Sequence, residues 1–179
     1  MKKFLKEAVQ TSLVLLLALI ISFLIVTFVG QRTVVDGDSM ENTLHHGDNL
    51  IVDKITYRFR EPERFEVIVF PAHYDQHTYL VKRIIALPGE TVYIDDKGDI
   101  YINDELLEED FGKEVILSAG TAKEPLTLGD DEYFVLGDNR NNSLDSRDYM
   151  VGNVLKEDII GRAWVRIYPF DSICVIEHE

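Results

Sequence analysis

Between Glu7 and Arg32 the chain runs for 24 residues without a charge, most of them Leu, Val, Ile, Phe or Ala. Nothing else in the sequence limits the fold as much. As a helix such a run is long enough for a bilayer core, which takes about 20 apolar residues, and its other possible homes are a buried core or a cleaved targeting segment. The apolar part of a targeting segment usually spans about 7–15 residues and ends at a small-x-small site. This one is longer and continues into Phe28-Val-Gly-Gln-Arg-Thr33. It therefore reads as a retained transmembrane helix. Lys2, Lys3 and Lys6 precede it against the single acid Glu7, so the positive-inside rule puts the amino terminus in the cytoplasm and the rest outside, at the cell membrane.

The chain has 179 residues and a formal charge of −14, room for one domain with a core and a small lobe. The acidity lies beyond the apolar run, where 15 basic residues face 31 acidic ones. Nucleic acid is excluded as a partner because phosphate binding needs a basic surface. Anionic lipid would not attract this part by charge, so contact with the lipid bilayer falls to the anchor and to apolar patches. Cys174 is the only cysteine, which rules out an intramolecular disulfide. No Cys/His spacing suggests a metal site, and the adjacent His45 and His46 point apart on an extended chain.

From Asn49 onward the pattern is mainly β. The segments 50–57, 65–70, 79–85, 91–94, 99–102, 132–136 and 160–168 are short, rich in β-branched and aromatic residues, and bounded by turn formers such as Pro71, Pro88-Gly89 and Asn103-Asp104. Antiparallel sheets or a partial barrel are expected, with only a weak turn near 156–159. The tract 104–131 is the most acidic and least hydrophobic, and reads as a variable, partly mobile excursion without a chemical role. The expected division is 1–30 for a short cytoplasmic tail and anchor, and 31–179 for an extracytoplasmic β domain with a variable acidic lobe at about 91–131.

Three segments carry chemistry. Ser39 lies in Asp36-Gly-Asp-Ser-Met-Glu-Asn-Thr-Leu-His-His-Gly-Asp48, where turn residues present a hydroxyl at the surface, although many such serines only bond their own backbone. Lys82 shares one face of a strand with Leu80 and Ile84. It is either a lysine that snorkels to water or protects an edge, or a desolvated amine. An ordinary lysine is neutral only about once in two thousand at pH 7, so a useful base needs its pKa lowered by roughly 3 units, about 4 kcal/mol. The neighbouring Arg83 cannot serve, since its guanidinium does not deprotonate. Gly137-Asp-Asn-Arg-Asn-Asn-Ser-Leu-Asp-Ser-Arg147 is an ordered polar loop or a solvated turn, in which Ser143 or Ser146 could bond an amine and Asp145 could pair with Arg147.

These segments, with Phe65-Glu-Val-Ile-Val-Phe70 and Val81-Lys-Arg-Ile-Ile-Ala-Leu-Pro-Gly-Glu90, resemble bacterial type I signal peptidases in order and spacing after an amino-terminal anchor. The resemblance covers nearly the whole chain and is nearest the compact Gram-positive form. It implies a signal-peptidase-like catalytic β domain and a membrane-bound serine endopeptidase that cleaves signal peptides from exported preproteins after a small-x-small motif, without a metal or other cofactor. Ser39 would be the nucleophile and Lys82 the general base. Ser143 would orient the amine, Asp145 and Arg147 would buttress it, Arg83 and Asp138 would support, and the Ser39 N–H would serve the oxyanion. Three departures stand out: Asn42 replaces a common proline, Ala86 a frequent glycine, and Gly37 a serine whose hydroxyl helps the oxyanion in some members.

The apolar neighbours Val35, Met40, Leu44, Leu80 and Val81 are candidate walls for the small residues before the cut, with the substrate extended along a sheet edge. Two other readings share some of these features. A self-cleaving Ser-Lys protease of the repressor type fits the anchor and the 137–147 loop poorly. A catalytically degraded, membrane-tethered signal-peptide-binding protein would fit Asn42 and Gly37.

Overall fold

The alternating segments fold into two antiparallel sheets. The computed structural model describes residues 2–178, and their side chains except at positions 2, 5, 8, 24–28 and 76. Among the described residues there is one α-helix, α1 (Lys2–Phe28), which stops just before Gly30, the first Gly or Pro in the chain. Its described side chains are exposed and join none of the core clusters, Leu13 for example at 65%. Among the described residues no helix is long and apolar enough to cross a membrane. The transmembrane anchor expected over 1–30 is thus not shown by the fold.

The strands are β1 (Gly30–Val34), β2 (Asn49–Asp53), β3 (Val67–Ala72), β4 (Asp75–Ala86), β5 (Thr91–Ile94), β6 (Ile100–Ile102), β7 (Glu105–Leu106), β8 (Leu126–Thr127), β9 (Glu132–Leu136), β10 (Val154–Leu155), β11 (Gly161–Tyr168) and β12 (Cys174–Val175). The larger sheet runs β1-β2-β11-β3-β4-β9-β10, with β12 on β11, and the smaller runs β7-β6-β5-β8. The centre of the large sheet is covered on both faces, so β3 reads as a continuous apolar run rather than an alternation. Ile68 and Phe70 pack with Ile84, Tyr133 and Val135 on one side, while Val67 packs with Val35, Met40 and Leu50 on the other. At its far end β4 turns Ile85 and Ala86 into a third cluster with Val92, Ile94, Phe134 and Leu136, which joins the two sheets.

Several boundaries move for local reasons. The strand expected over 50–57 ends at Asp53, whose Oδ1 accepts the N–H groups of Ile55 and Thr56 at 2.9 and 3.1 Å and folds Thr56–Arg58 into a 3₁₀ turn. The strand expected at 79 begins at Asp75, because β3 and β4 continue as a ladder past Pro71. β1, unpredicted, extends β2 on its outer side. The acidic tract 104–131 is more than a mobile excursion. Its scattered apolar residues Ile116, Ala122 and Leu128 are buried against the smaller sheet, and β8 pairs with β5.

Candidate active site

Ser39 sits in a loop pinned at both ends. Val35 N–H donates to the Asp48 carbonyl at 2.8 Å and Gly47 N–H to the Val35 carbonyl at 2.9 Å, while Met40 and Leu44 turn inward and are 1% exposed. With Met40 and Leu44 drawn into the core, Ser39 is left half-buried.

Lys82 is placed by register. The β3–β4 ladder sets it opposite Ile68, two residues from Leu80 and from Ile84, and it is 2% exposed. Its Nζ lies 2.7 Å from Ser39 Oγ and donates to the Val81 carbonyl at 3.1 Å. Burial disfavours the ammonium and lowers its pKa from 10.5 to about 8; Asp145 and Asp138 oppose the shift and Arg147 assists it. About one amine in ten is then neutral at pH 7, against fewer than one in a thousand for an exposed lysine.

The loop 137–147 is bonded to the backbone that carries Ser39. Asn139 N–H donates to the Ser39 carbonyl and Asn139 Nδ2 to the Asp38 carbonyl, both at 3.0 Å. Asp145 accepts the Gly137 N–H at 3.0 Å and a fork from Arg147 Nε and Nη2, each at 2.8 Å. Arg83 and Asp138, both side chains wholly buried, form a second fork at 2.9 and 2.8 Å. Thr43 adds its hydroxyl to Asp138 at 2.5 Å, which ties the Ser39 loop to the same pair. A side chain at Gly137 would force its neighbours to shift, since a Cβ there would come within 2.2 Å of Ser143 Oγ and 2.4 Å of the Ser39 carbonyl.

Not every expected contact forms. Ser143 Oγ is buried with no hydrogen-bond partner among the described residues, so the bond expected from it to Lys82 is absent; the amine is satisfied by Ser39 and the Val81 carbonyl instead. A cleft of about 470 Å³ opens beside Ser39 and Lys82 and is lined by Val35, Met40, Leu80 and Val81. Leu44 is not in it, because it packs into the core with Leu50, Val67 and Ala163. The remaining walls are Thr33, Val34 and Asp36, with Tyr74 and His77 to Tyr79 near the tip of the β3–β4 hairpin. Sequence reasoning missed these, as it missed Thr43 and Asn139. The latter two stand inside the motifs around Ser39 and Gly137, where a signal was present; the hairpin offered none.

Chemically, the site holds a hydroxyl against a dehydrated amine that is partly neutral at pH 7, a pairing suited to nucleophilic attack with the amine as base. The Ser39 backbone N–H donates to no group among the described residues and is free to serve an oxyanion.

The model of the family "Signal peptidase, peptidase S26" matches residues 8–168. Probable signal peptidase I-2 of Synechocystis sp. is 41% identical over 90% of this chain and 74% of its own length. Signal peptidase I of Leptolyngbya laminosa is 39% identical over 88% of this chain and 78% of its own. Signal peptidase I P of Bacillus subtilis subsp. natto is 33% identical over 89% and 88% respectively. With a serine and a buried lysine in contact, and with matches running through both sheets, the chain belongs to the signal peptidase, peptidase S26, family.

Proposed function

We propose that this serine peptidase cleaves amino-terminal signal peptides from exported preproteins, with Ser39 as nucleophile and Lys82 as general base. The observation that carries the mechanism is the 2.7 Å contact between the buried amine and the hydroxyl. Neutral Lys82 takes the Ser39 proton as Oγ attacks the scissile carbonyl. The oxyanion is met by the Ser39 N–H, the leaving amine recovers the proton from Lys82, and water later attacks the acyl-enzyme with Lys82 again as base. Asp145 with Arg147, and Asp138 with Arg83, hold the loop that is bonded to the Ser39 backbone. The cleft walls Val35, Met40, Leu80 and Val81 accept small side chains before the cut.

The apolar α1, exposed wherever its side chains are described, supports a role as a single-pass anchor, with its lysine-rich start in the cytoplasm and the domain 31–179 outside. Ser39 follows Gly30 by nine residues, a tether of at most about 30 Å even when extended. Enzyme and substrate helix would then share one bilayer, which raises their effective concentration without new contacts.

The test is turnover of a synthetic Ala-x-Ala peptide by the detergent-solubilised chain. Ser39→Ala and Lys82→Ala are each expected to lower kcat by about a thousandfold or more with little change in peptide binding. Binding without turnover by the unmutated chain would indicate a degraded receptor, and substantial turnover by either variant would exclude the dyad.

A further inference from the structure

The acidic stretch 109–121, for which the sequence suggests no role, runs along the loop 137–147 and is bonded to it throughout. Lys113 N–H donates to the Asp138 carbonyl at 2.8 Å and Thr121 N–H to the Arg147 carbonyl at 3.0 Å. Between them Asn141 bonds both ways, accepting the Leu117 N–H and donating to the Val115 carbonyl, each at 2.9 Å. The hydroxyl of Thr121 donates to the Ser146 carbonyl at 2.8 Å. Gly120 has a φ of +53°, and a Cβ there would fall 2.1 Å from the Arg147 carbonyl, so the two backbones meet as closely as a chain allows.

One ion pair stands out among these contacts. Arg140 Nη1 lies 2.7 Å from Glu109 Oε1, with the arginine side chain 2% exposed and the glutamate 10%. The other guanidinium nitrogens, Nε and Nη2, have no hydrogen-bond partner among the described residues. Glu109 is therefore the carboxylate that this buried charge faces. From Arg140 the connection runs on through its carbonyl, which accepts from Arg147 Nη2 at 2.5 Å, then through the Arg147–Asp145 fork to the Gly137 N–H. Asn139, the residue before Arg140, holds the Ser39 carbonyl.

We propose that Glu109 is a positioning residue: by holding Arg140 it fixes the loop 137–147 against Ser39 and Lys82, and the stretch 109–121 is the clamp that carries it. The proposal rests on the peptidase reading above, in that the clamp serves the Ser39–Lys82 pair. It requires the loop to depend on a negative charge brought in from outside the motif.

The experiment uses the full chain in detergent and reads two quantities, steady-state cleavage of an Ala-x-Ala peptide and backbone amide hydrogen exchange. Glu109→Gln, which keeps the shape and removes the charge, is expected to lower kcat tenfold or more with KM within twofold. Exchange should speed up at Gly137 and Asn139 while the β3–β4 amides keep their protection. Adding Arg140→Gln to Glu109→Gln should cost little more, since both act through one contact. Glu108→Gln, exposed and outside these contacts, should match the unmutated chain. The proposal is overturned if Glu109→Gln keeps kcat within twofold and leaves 137–147 protected, or if protection falls evenly across both sheets.

Should Glu109→Gln fail to fold, the exposed Asn141→Ala decides. It removes two clamp bonds and should lower kcat at least threefold with the same local loss of protection, and no change in either quantity sinks the clamp. An unmutated chain that cuts no peptide would refute the peptidase reading, while the exchange data would still judge the clamp.

Discussion

At the scale of single residues, the general-base role proposed for Lys82 ties activity to stability. Its pKa of about 8 predicts that kcat/KM rises with pH along a limb centred near 8 and levels off above it, because only the neutral amine can take the Ser39 proton. A pH–rate profile checks this, and a limb near 10.5 would mean a hydrated, ordinary lysine. The same shift makes Lys82 a cost to the fold. Between about 8 and 10.5 the unfolded chain holds a proton that the folded one has released, so stability rises with pH across that window, and below about 8 the cost is fully present. Lys82→Met is thus expected to abolish turnover while gaining on the order of 3 kcal/mol at pH 7. Denaturant titrations of both proteins at pH 7 and pH 10 check it, with the gain shrinking at the higher pH.

At the scale of elements, the loop 137–147 shows how much chemistry a contiguous motif can hold and what it leaves out. Its pairing of Asp145 with Arg147 was visible in the sequence, since a polar loop after an apolar strand must satisfy its own groups, whereas Asp138 was marked only by the family resemblance and finds its partner, Arg83, on β4. That Asp145 binds the Gly137 N–H, and that Ser143 Oγ finds no partner among the described residues, depends on how closely the loop is pressed onto Ser39. Gly137→Ala tests that closeness. A methyl group there must push away Ser143 or the Ser39 carbonyl, and a displacement of about 1 Å is expected to cost roughly 100-fold in kcat with the chain still folded. Peptide cleavage measured alongside a thermal melt distinguishes this from unfolding. The strands at 91–94 and 132–136 were legible to the residue, whereas β4 was not, because its extra length comes from pairing with β3 and leaves no local mark.

At the scale of the whole molecule, α1 and the sheets are built on separate principles. Among the described residues the three core clusters draw no side chain from α1, and the Val29 carbonyl accepts the Lys54 N–H at 3.0 Å, tying the chain after the helix to the sheet. A chain starting at Val29 is expected to fold and to cleave a soluble peptide with kcat within about fivefold of the full chain, yet to lose most of its activity on a preprotein in lipid vesicles. Equal loss on both substrates would show that α1 supports the catalytic fold itself. The sequence alone determined the apolar helix and the mainly β fold and, through motif order, singled out Ser39 and Lys82 as candidates, because periodicity, turn chemistry and motif order are local properties of the chain. Tertiary structure alone decided that the amine lies against the hydroxyl, that Leu44 faces the core while Val35 and Met40 reach the cleft, and that an acidic tract grips the site loop. Each of those depends on the register of strands far apart in sequence, and register is settled by what the assembled sheets can bury.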